Sequence, residues 1–400
     1  MSEEKSASQD KSLKRNIFSL GLVSLFTDIS SEMVYPLLPD LVKKAGGGSA
    51  LLGLIEGVAE ATANLLRAFS GYLSDRLGKR KQIVFLGYLL GALAKPLLGL
   101  STIWQMILGF RFLDRLGKGI RSSPRDAILA DSSAEAERGK WFGFHRSMDT
   151  LGAVLGPILA FVLLGLGFKL NHLFFWAFVP AIIALFILQL LVKEIAPKKK
   201  SQQKFELNFR GLSRFYHYYL IISGIFALGN FPNVFLILRA KDFEFDTSAL
   251  PLLYLVYNLV YSLIAIPAGM LSDRWGRKNL LVFALVLFAI SYFGFGFAQN
   301  PFQIWLLFGL FGIVDGIKEG VQRALIADLV PSEKRASAYG IYYGVIGFLI
   351  LPASSLAGIF WKKWGAIMVF SYGGGLALLG AFLLLIFLPN QIKSPENRIR

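Results

Sequence analysis

The feature that most constrains this chain is a succession of apolar stretches, each about as long as a bilayer is thick. A stretch of about 20 apolar residues spans the hydrocarbon core as an α-helix. Such stretches recur twelve times, at roughly 16–41, 50–73, 82–100, 102–125, 140–167, 171–193, 215–239, 248–271, 279–298, 302–325, 336–360 and 365–389. The spans at 102–125 and 302–325 carry internal charge. Over the chain, 54% of residues are hydrophobic and 17% are charged; soluble domains carry about 25% charged residues. A mean hydropathy of +0.55 excludes an ordinary water-soluble globule. The expected class is therefore an all-α membrane protein.

Charge placement gives the orientation. The formal net charge is +16, from 42 basic and 26 acidic residues. In a soluble protein this excess suggests nucleic acid; here it sits in loops, as cytoplasmic loops of membrane proteins require. Arg76, Lys79, Arg80 and Lys81 follow the second span, Arg274, Arg277 and Lys278 the eighth, and Lys334 and Arg335 the tenth. The opposite loops, such as 46–50 and 299–301, are short and poorer in charge, although Lys43, Lys44, Lys362 and Lys363 depart from the pattern. Both termini are thus expected in the cytoplasm, with residues 1–15 as a polar tail. The first apolar stretch is too long for a signal-peptide core and reads as a retained span. The absence of cysteine excludes disulfides and thiolate sites, and three histidines make a histidine-rich metal cage implausible. No cofactor or metal is expected, and no nucleic-acid partner.

One long polar segment, about 194–213 and rich in Lys and Arg, divides the chain. It reads as a cytoplasmic linker between six-helix halves at 1–193 and 214–400. The halves repeat: Gly71–Arg80 (GYLSDRLGKR) recurs as Gly269–Lys278 (GMLSDRWGRK) at an offset of 198. Ala127–Asp131 recurs as Ala324–Asp328 at 197, and Gly143 and Gly340 keep that offset. Two parallel six-helix repeats are an architecture of secondary transporters, which bind ligand near the bilayer midplane.

The repeated loop closely resembles motif A of the major facilitator superfamily, and it follows spans 2 and 8, where that family carries it. The resemblance covers the whole chain. It implies the major facilitator fold, twelve transmembrane helices in two pseudo-symmetric halves, and a monomeric transporter rather than an enzyme. It also implies a cytoplasmic latch made by Gly71, Asp75, Arg76 and Gly78, with Asp273 and Arg274 as counterparts. In span 5, Gly152, Gly156 and Pro157 resemble the GxxxGP core of the antiporter motif of proton-coupled exporters, although Ile158, Leu159 and Ala160 replace the glycines that usually follow. Span 1 is similar to that of the twelve-helix drug/proton antiporters, with Glu32 before Met33 and Pro36. Arg115–Gly119 (RLGKG) is similar to the RxxQG motif of span 4, with Lys118 in place of glutamine and Arg121 where a small residue is usual.

Ionised groups inside a bilayer are costly, so they face a partner or a water-filled cavity. Asp28 and Glu32 share one helix face, four residues apart. Glu56, Glu60, Asn64 and Arg67 make a stripe on span 2, and Arg111, Asp114, Arg115, Lys118 and Arg125 one on span 4. His145, Asp149, Gly152 and Gly156 share a face of span 5. The second half offers Asp315, Lys318, Glu319 and Gln322 on span 10, Tyr254, Tyr257, Asn258 and Tyr261 on span 8, and Asn230 and Asn233 on span 7. Each stripe reads either as structural ion pairing and packing or as a working site. The functional assignment puts proton coupling at Glu32, Asp28 and Glu60. It puts substrate contacts at Arg115, Lys118, Arg67, Tyr257, Asn258, Tyr261 and Asn230.

The expected activity is proton-coupled export, at the bacterial inner membrane, of a small organic molecule. The basic stripe favours an anionic or zwitterionic one. Two alternatives stay open: anion or metabolite uptake by symport or exchange, and a non-transporting sensor or membrane enzyme. No phosphate-binding loop or Ser/His/Asp arrangement accompanies the spans.

Overall fold

The computed structural model describes residues 2–133, 137–195, 212–331 and 334–389; side chains are described from residue 13 onward, apart from those of 68, 75, 138, 139 and 336. Most of the 194–213 segment lies outside these residues. Every regular element among them is helical.

The first span is α1 (Ser2–Val34), a 3-10 turn (Tyr35–Leu37) and α2 (Leu38–Lys44). Pro36 and Pro39 lack an N–H, so the α-helical ladder gives way between them. Residues 2–15, expected as a tail, continue α1 in the same helix. Then follow α3 (Ser49–Leu77), α4 (Arg80–Gly99), α5 (Trp104–Asp131), α6 (Arg138–Gly165) and α7 (Leu170–Leu191). The seventh span is divided into α8 (Arg214–Ala227) and α9 (Val234–Lys241), with Asn230 and Pro232 in the break. α10 (Leu250–Trp275), α11 (Arg277–Phe297) and α12 (Pro301–Leu329) are continuous. α13 (Arg335–Phe387) holds the last two spans and bends at Gly365, where φ is +76°. Only glycine takes that backbone conformation at no steric cost.

By length and composition, eight helices among the described residues are apolar enough to cross a membrane. α5 and α12 are not among them. Their length suffices, but α5 carries Arg111, Asp114, Arg115, Lys118 and Arg121, and α12 carries Asp315, Lys318, Glu319 and Arg323.

The chain divides into two compact units, Met1–Gly46 with Thr62–Phe205, and Gly47–Ala61 with Glu206–Arg400. In the first, α1 packs on α6 and α7, and α4 on α5 and α7. In the second, α8 packs on α13, α11 on α12 and α13, and α10 on α12. The first turns of α3 belong to the second unit because small residues admit them there. A Cβ on Gly53 would stand 2.3 Å from the Ser354 carbonyl oxygen, and Ser354 Oγ donates to the Gly53 carbonyl at 2.7 Å.

The two units close their helix ends alike. Gly78 and Gly276 turn the chain with φ of +66° and +84°. Arg80 and Arg277 then open α4 and α11. Arg80 Nη1 lies 2.5 Å from Asp131 Oδ2, and Arg277 Nε bonds Asp328 in the same manner. The next residues, Lys81 and Lys278, cap the carbonyl ends of α7 and α13: Lys81 Nζ donates to Gln189 at 2.8 Å, and Lys278 Nζ to Leu388 at 2.6 Å. Cations are favourable at helix C-termini, where the carbonyls are unsatisfied.

Candidate functional site

The sequence placed Asp28 and Glu32 on one face of α1; the structure sets that face against the glycine pair of α6. A Cβ on Gly152 would stand 2.6 Å from the Leu25 carbonyl oxygen and 2.7 Å from Asp28 Cβ. One on Gly156 would stand 2.8 Å from the Ile29 carbonyl oxygen and 3.0 Å from Glu32 Cβ. Glycines that let two helix backbones touch are a device of membrane helix packing. Here they hold α6 at the residues that carry the two acids. Both carboxylates are half-buried. Pro157, inside α6, removes one backbone donor just beyond this contact.

Asp28 lies within electrostatic reach of Asp149 on α6, of Glu32, and of Lys118 and Arg125 on α5. Asp149 is one turn before Gly152. Its Oδ2 is 3.6 Å from His145 Nδ1 and 3.9 Å from Arg146 Nη1, and its Oδ1 is buried without a hydrogen bond. His145 Nε2 meets Ser24 Oγ at 3.0 Å, and Ser24 Oγ accepts from Arg125 Nη1 at 3.2 Å. Arg125 also pairs with Asp126 at 2.9 Å, and Arg67 Nη2 is 3.7 Å from Asp126. A continuous polar chain therefore links α3, α5, α1 and α6. Of the three residues assigned to proton coupling, two stand together; Glu60 falls in the part of α3 that belongs to the second unit.

The basic stripe of α5 resolves into two groups. Arg111 Nη1 contacts Asp114 at 2.9 Å, and Lys95 on α4 contacts its other oxygen at 2.6 Å. Arg115 Nε is 4.0 Å from Asp114, and Arg121 stacks on Tyr88 with its guanidinium carbon 4.5 Å from the ring centre. Lys95, Arg111, Arg115 and Arg121 are all buried, and the first three meet the buried Asp114. Buried cations of this kind are held in place by their partner, whose removal would leave them uncompensated. Lys118, in contrast, is exposed, and Arg67 half-buried.

In the second unit, glycines again press one helix on another. Cβ atoms on Gly312 and Gly316 of α12 would stand 2.6 Å and 2.9 Å from the carbonyl oxygens of Tyr257 and Tyr261 on α10. Tyr257 donates to Asp315 at 2.8 Å, and Tyr261 donates to Glu319. Asp315 pairs with Lys318 at 2.6 Å, and Lys318 Nζ lies 5.4 Å and 5.3 Å from the ring centres of Phe226 and Phe288. Tyr254, Tyr257 and Tyr261 stack in succession. Asn258 is buried beside them, and Asn233 hydrogen-bonds Tyr257. Asn230 lies in the break between α8 and α9, half-buried.

For the latch motif, the side chain of Asp75 lies outside the described residues. Gly71 packs against Ser123 of α5, and Gly78 makes the positive-φ turn. Arg76 and Arg274 are exposed, and Asp273 pairs with Arg277 at 3.3 Å. Among the described contacts of these loops, Arg80 and Arg277 pair with Asp131 and Asp328. The signal that finds them is the offset of 197 that each keeps together with its aspartate. Lys95 and the Ser24–His145 contact escape sequence reasoning; the pointer to Lys95 is its being a lone cation inside an apolar span.

The family model described as Major Facilitator Superfamily matches residues 20–238 and 218–399. The "Uncharacterized MFS-type transporter MJ1317" of Methanocaldococcus jannaschii is 39% identical over 389 residues, covering 96% of this chain and 97% of that one. "Multidrug resistance protein MdtH" of Proteus mirabilis is 25% identical over 346 residues, covering 83% and 84%. Among solved structures, a variant of the nucleoside transporter NupG has a TM-score of 0.81 at 14% identity, covering 93% of this chain and 100% of that one. The human organic anion transporter MFSD10 has a TM-score of 0.67 at 18% identity, covering 93% and 99%. At these identities the likeness to solved structures shows the fold.

Proposed function

Because the chain belongs to the Major Facilitator Superfamily and is a multi-pass membrane transporter, we propose that it exports a small organic anion or zwitterion in antiport with protons, by alternating access. The observation that carries this reading is the seam at which Gly152 and Gly156 hold α6 against Asp28 and Glu32. A proton bound there changes the charge at a contact between two helices. It therefore stabilises one arrangement of that contact over another, as coupling demands. The buried cations around Asp114 support an anionic ligand group, since Lys95, Arg111 and Arg115 gather at one place on α4 and α5. The relatives named as multidrug resistance proteins support export. In this reading Tyr257, Asn258, Tyr261 and Asn230 supply an aromatic and amide surface for the rest of the ligand. The Gly71–Gly78 loop with Asp273 and Arg274 is a latch on the cytoplasmic side. The protein works as a monomer in the bacterial inner membrane with both termini in the cytoplasm.

Counterflow in proteoliposomes tests the reading, with a panel of organic anions, cations and zwitterions outside and a pH-sensitive dye inside. The expected result is counterflow of an anion or zwitterion, and net movement driven by a pH gradient with protons moving the opposite way. Protons moving with the substrate would establish uptake by symport instead. Binding with no counterflow of any probe would establish a sensor.

A further inference from the structure

The chain of contacts behind Asp28 fixes a proton position. Arg125 Nη1 donates to Ser24 Oγ at 3.2 Å, and a hydroxyl that accepts from a guanidinium is a stronger donor in turn. Its partner at 3.0 Å is His145 Nε2. At the other side of the ring, Nδ1 faces the Asp149 carboxylate at 3.6 Å. A ring nitrogen beside a carboxylate is the one that carries hydrogen, and a ring nitrogen beside a donating hydroxyl is the one that accepts. Both ends favour the same neutral tautomer, with the hydrogen on Nδ1. The ring is buried, and α6 presses on α1 two turns away at Gly152, so it has little freedom to turn over.

We propose that His145, held as the Nδ1–H tautomer by the Arg125–Ser24 chain, positions Asp149 as a second acid that shares the coupling proton with Asp28 across the α1–α6 seam. The proposal rests on the proton-coupling reading and names a further residue in it. Asp149 fits the part. It stands one turn from the Gly152 contact with Asp28, its Oδ1 is buried without a hydrogen bond, and it acts electrostatically on Asp28. When the proton moves, it leaves one carboxyl oxygen and joins the other, and no other group changes its state. The titratable and charged groups around this pair are Glu32 on α1, Lys118, Arg125 and Asp126 on α5, and His145 and Arg146 on α6. His145 acts through Asp149 and is a positioning residue.

Magnetic resonance of the intact purified protein tests this with no substrate required. With ¹⁵N-labelled histidine, and the His145→Gln spectrum to assign the signal, His145 should show hydrogen on Nδ1 and a bare Nε2. Hydrogen on Nε2, alone or on both nitrogens, overturns the proposal. With ¹³C-labelled aspartate carboxyls, and with Glu32→Gln as the parent so that the other acid beside Asp28 is removed, the Asp28 signal, assigned by its loss in Asp28→Asn, should titrate in two steps separated by about one pH unit or more, as interacting sites do. In Asp149→Asn the two steps should merge into one. A single step in the parent, or two steps that persist in Asp149→Asn, also overturns it. The coupling reading stands or falls separately. It fails if Asp28→Asn and Glu32→Gln both keep gradient-driven transport, whatever the resonances show.

Discussion

The two units use one packing device to opposite chemical ends. In the first, Gly152 and Gly156 of α6 bring the backbone of α1 into contact at Asp28 and Glu32. In the second, Gly312 and Gly316 of α12 bring in the backbone of α10 at Tyr257 and Tyr261. The first seam presents carboxylates, backed by His145, Asp149 and Arg125. The second presents a stack of tyrosines whose hydroxyls already bond Asp315 and Glu319. The inversion extends to α5 and α12, where Lys118 of the first half corresponds, at the offset of 197, to Asp315 of the second. Close helix contact is therefore a feature of both halves, but the residues placed at it differ: carboxylates at one seam, and at the other hydroxyls held by hydrogen bonding and stacking.

Four sets of variants break or sharpen this contrast. The largest effect is expected at the acids. Glu32→Gln should lower gradient-driven transport about 100-fold while substrate exchange persists, since a coupling free energy of about 3 kcal/mol is lost. Tyr261→Phe should leave driven transport within about twofold and change only ligand affinity, by about 1 kcal/mol, the net worth of a hydrogen bond. Second, Asp114→Asn leaves Lys95 and Arg111 buried without their carboxylate and should cost about 3–5 kcal/mol, seen as a lower melting temperature. Asp315→Asn should cost less, because Lys318 keeps two aromatic rings beneath it. Third, Gly156→Ala and Gly316→Ala should each cost about 1–3 kcal/mol by overpacking. Only Gly156→Ala should also disturb driven transport; equal effects of the two on transport would erase the contrast. The smallest effect is expected at the helix ends. Arg80→Gln should lower the melting temperature more than Arg277→Gln, because the Arg80 side chain is 7% exposed and that of Arg277 28%.

Much of this organisation is legible in the sequence because lipid imposes it. The predicted span 1 takes in Pro36 and Pro39, where the helix is interrupted, and the division between spans 11 and 12 falls at Gly365. The repeats announce two halves, and the four-residue spacing of Asp28 and Glu32 places both on one face. What the sequence does not disclose is partner choice. Arg80 meets Asp131, and Arg277 meets Asp328, each across 51 residues. Those distances follow from how α4 lies on α5 and α11 on α12, which periodicity within one helix does not contain. The same holds for Lys95 with Asp114, and for His145, whose partner Ser24 is 121 residues away. Motif spacing points to Arg76 and Arg274, which are exposed, and does not point to Arg80 and Arg277, which pair with Asp131 and Asp328. The one-residue difference between the Gly78–Lys79 turn and the Gly276 turn hides the true correspondence of Arg80 with Arg277.

The central claim is that proton coupling resides at the carboxylate seam of the first unit and not at the tyrosine seam of the second. The most direct measurement is proton movement on addition of the transported probe to proteoliposomes with a pH dye inside, for Glu32→Gln and Asp315→Asn at matched protein amounts. The account predicts that Glu32→Gln exchanges the probe with no dye signal, and that Asp315→Asn gives a signal in proportion to its transport. A dye signal that survives in Glu32→Gln and vanishes in Asp315→Asn would contradict it.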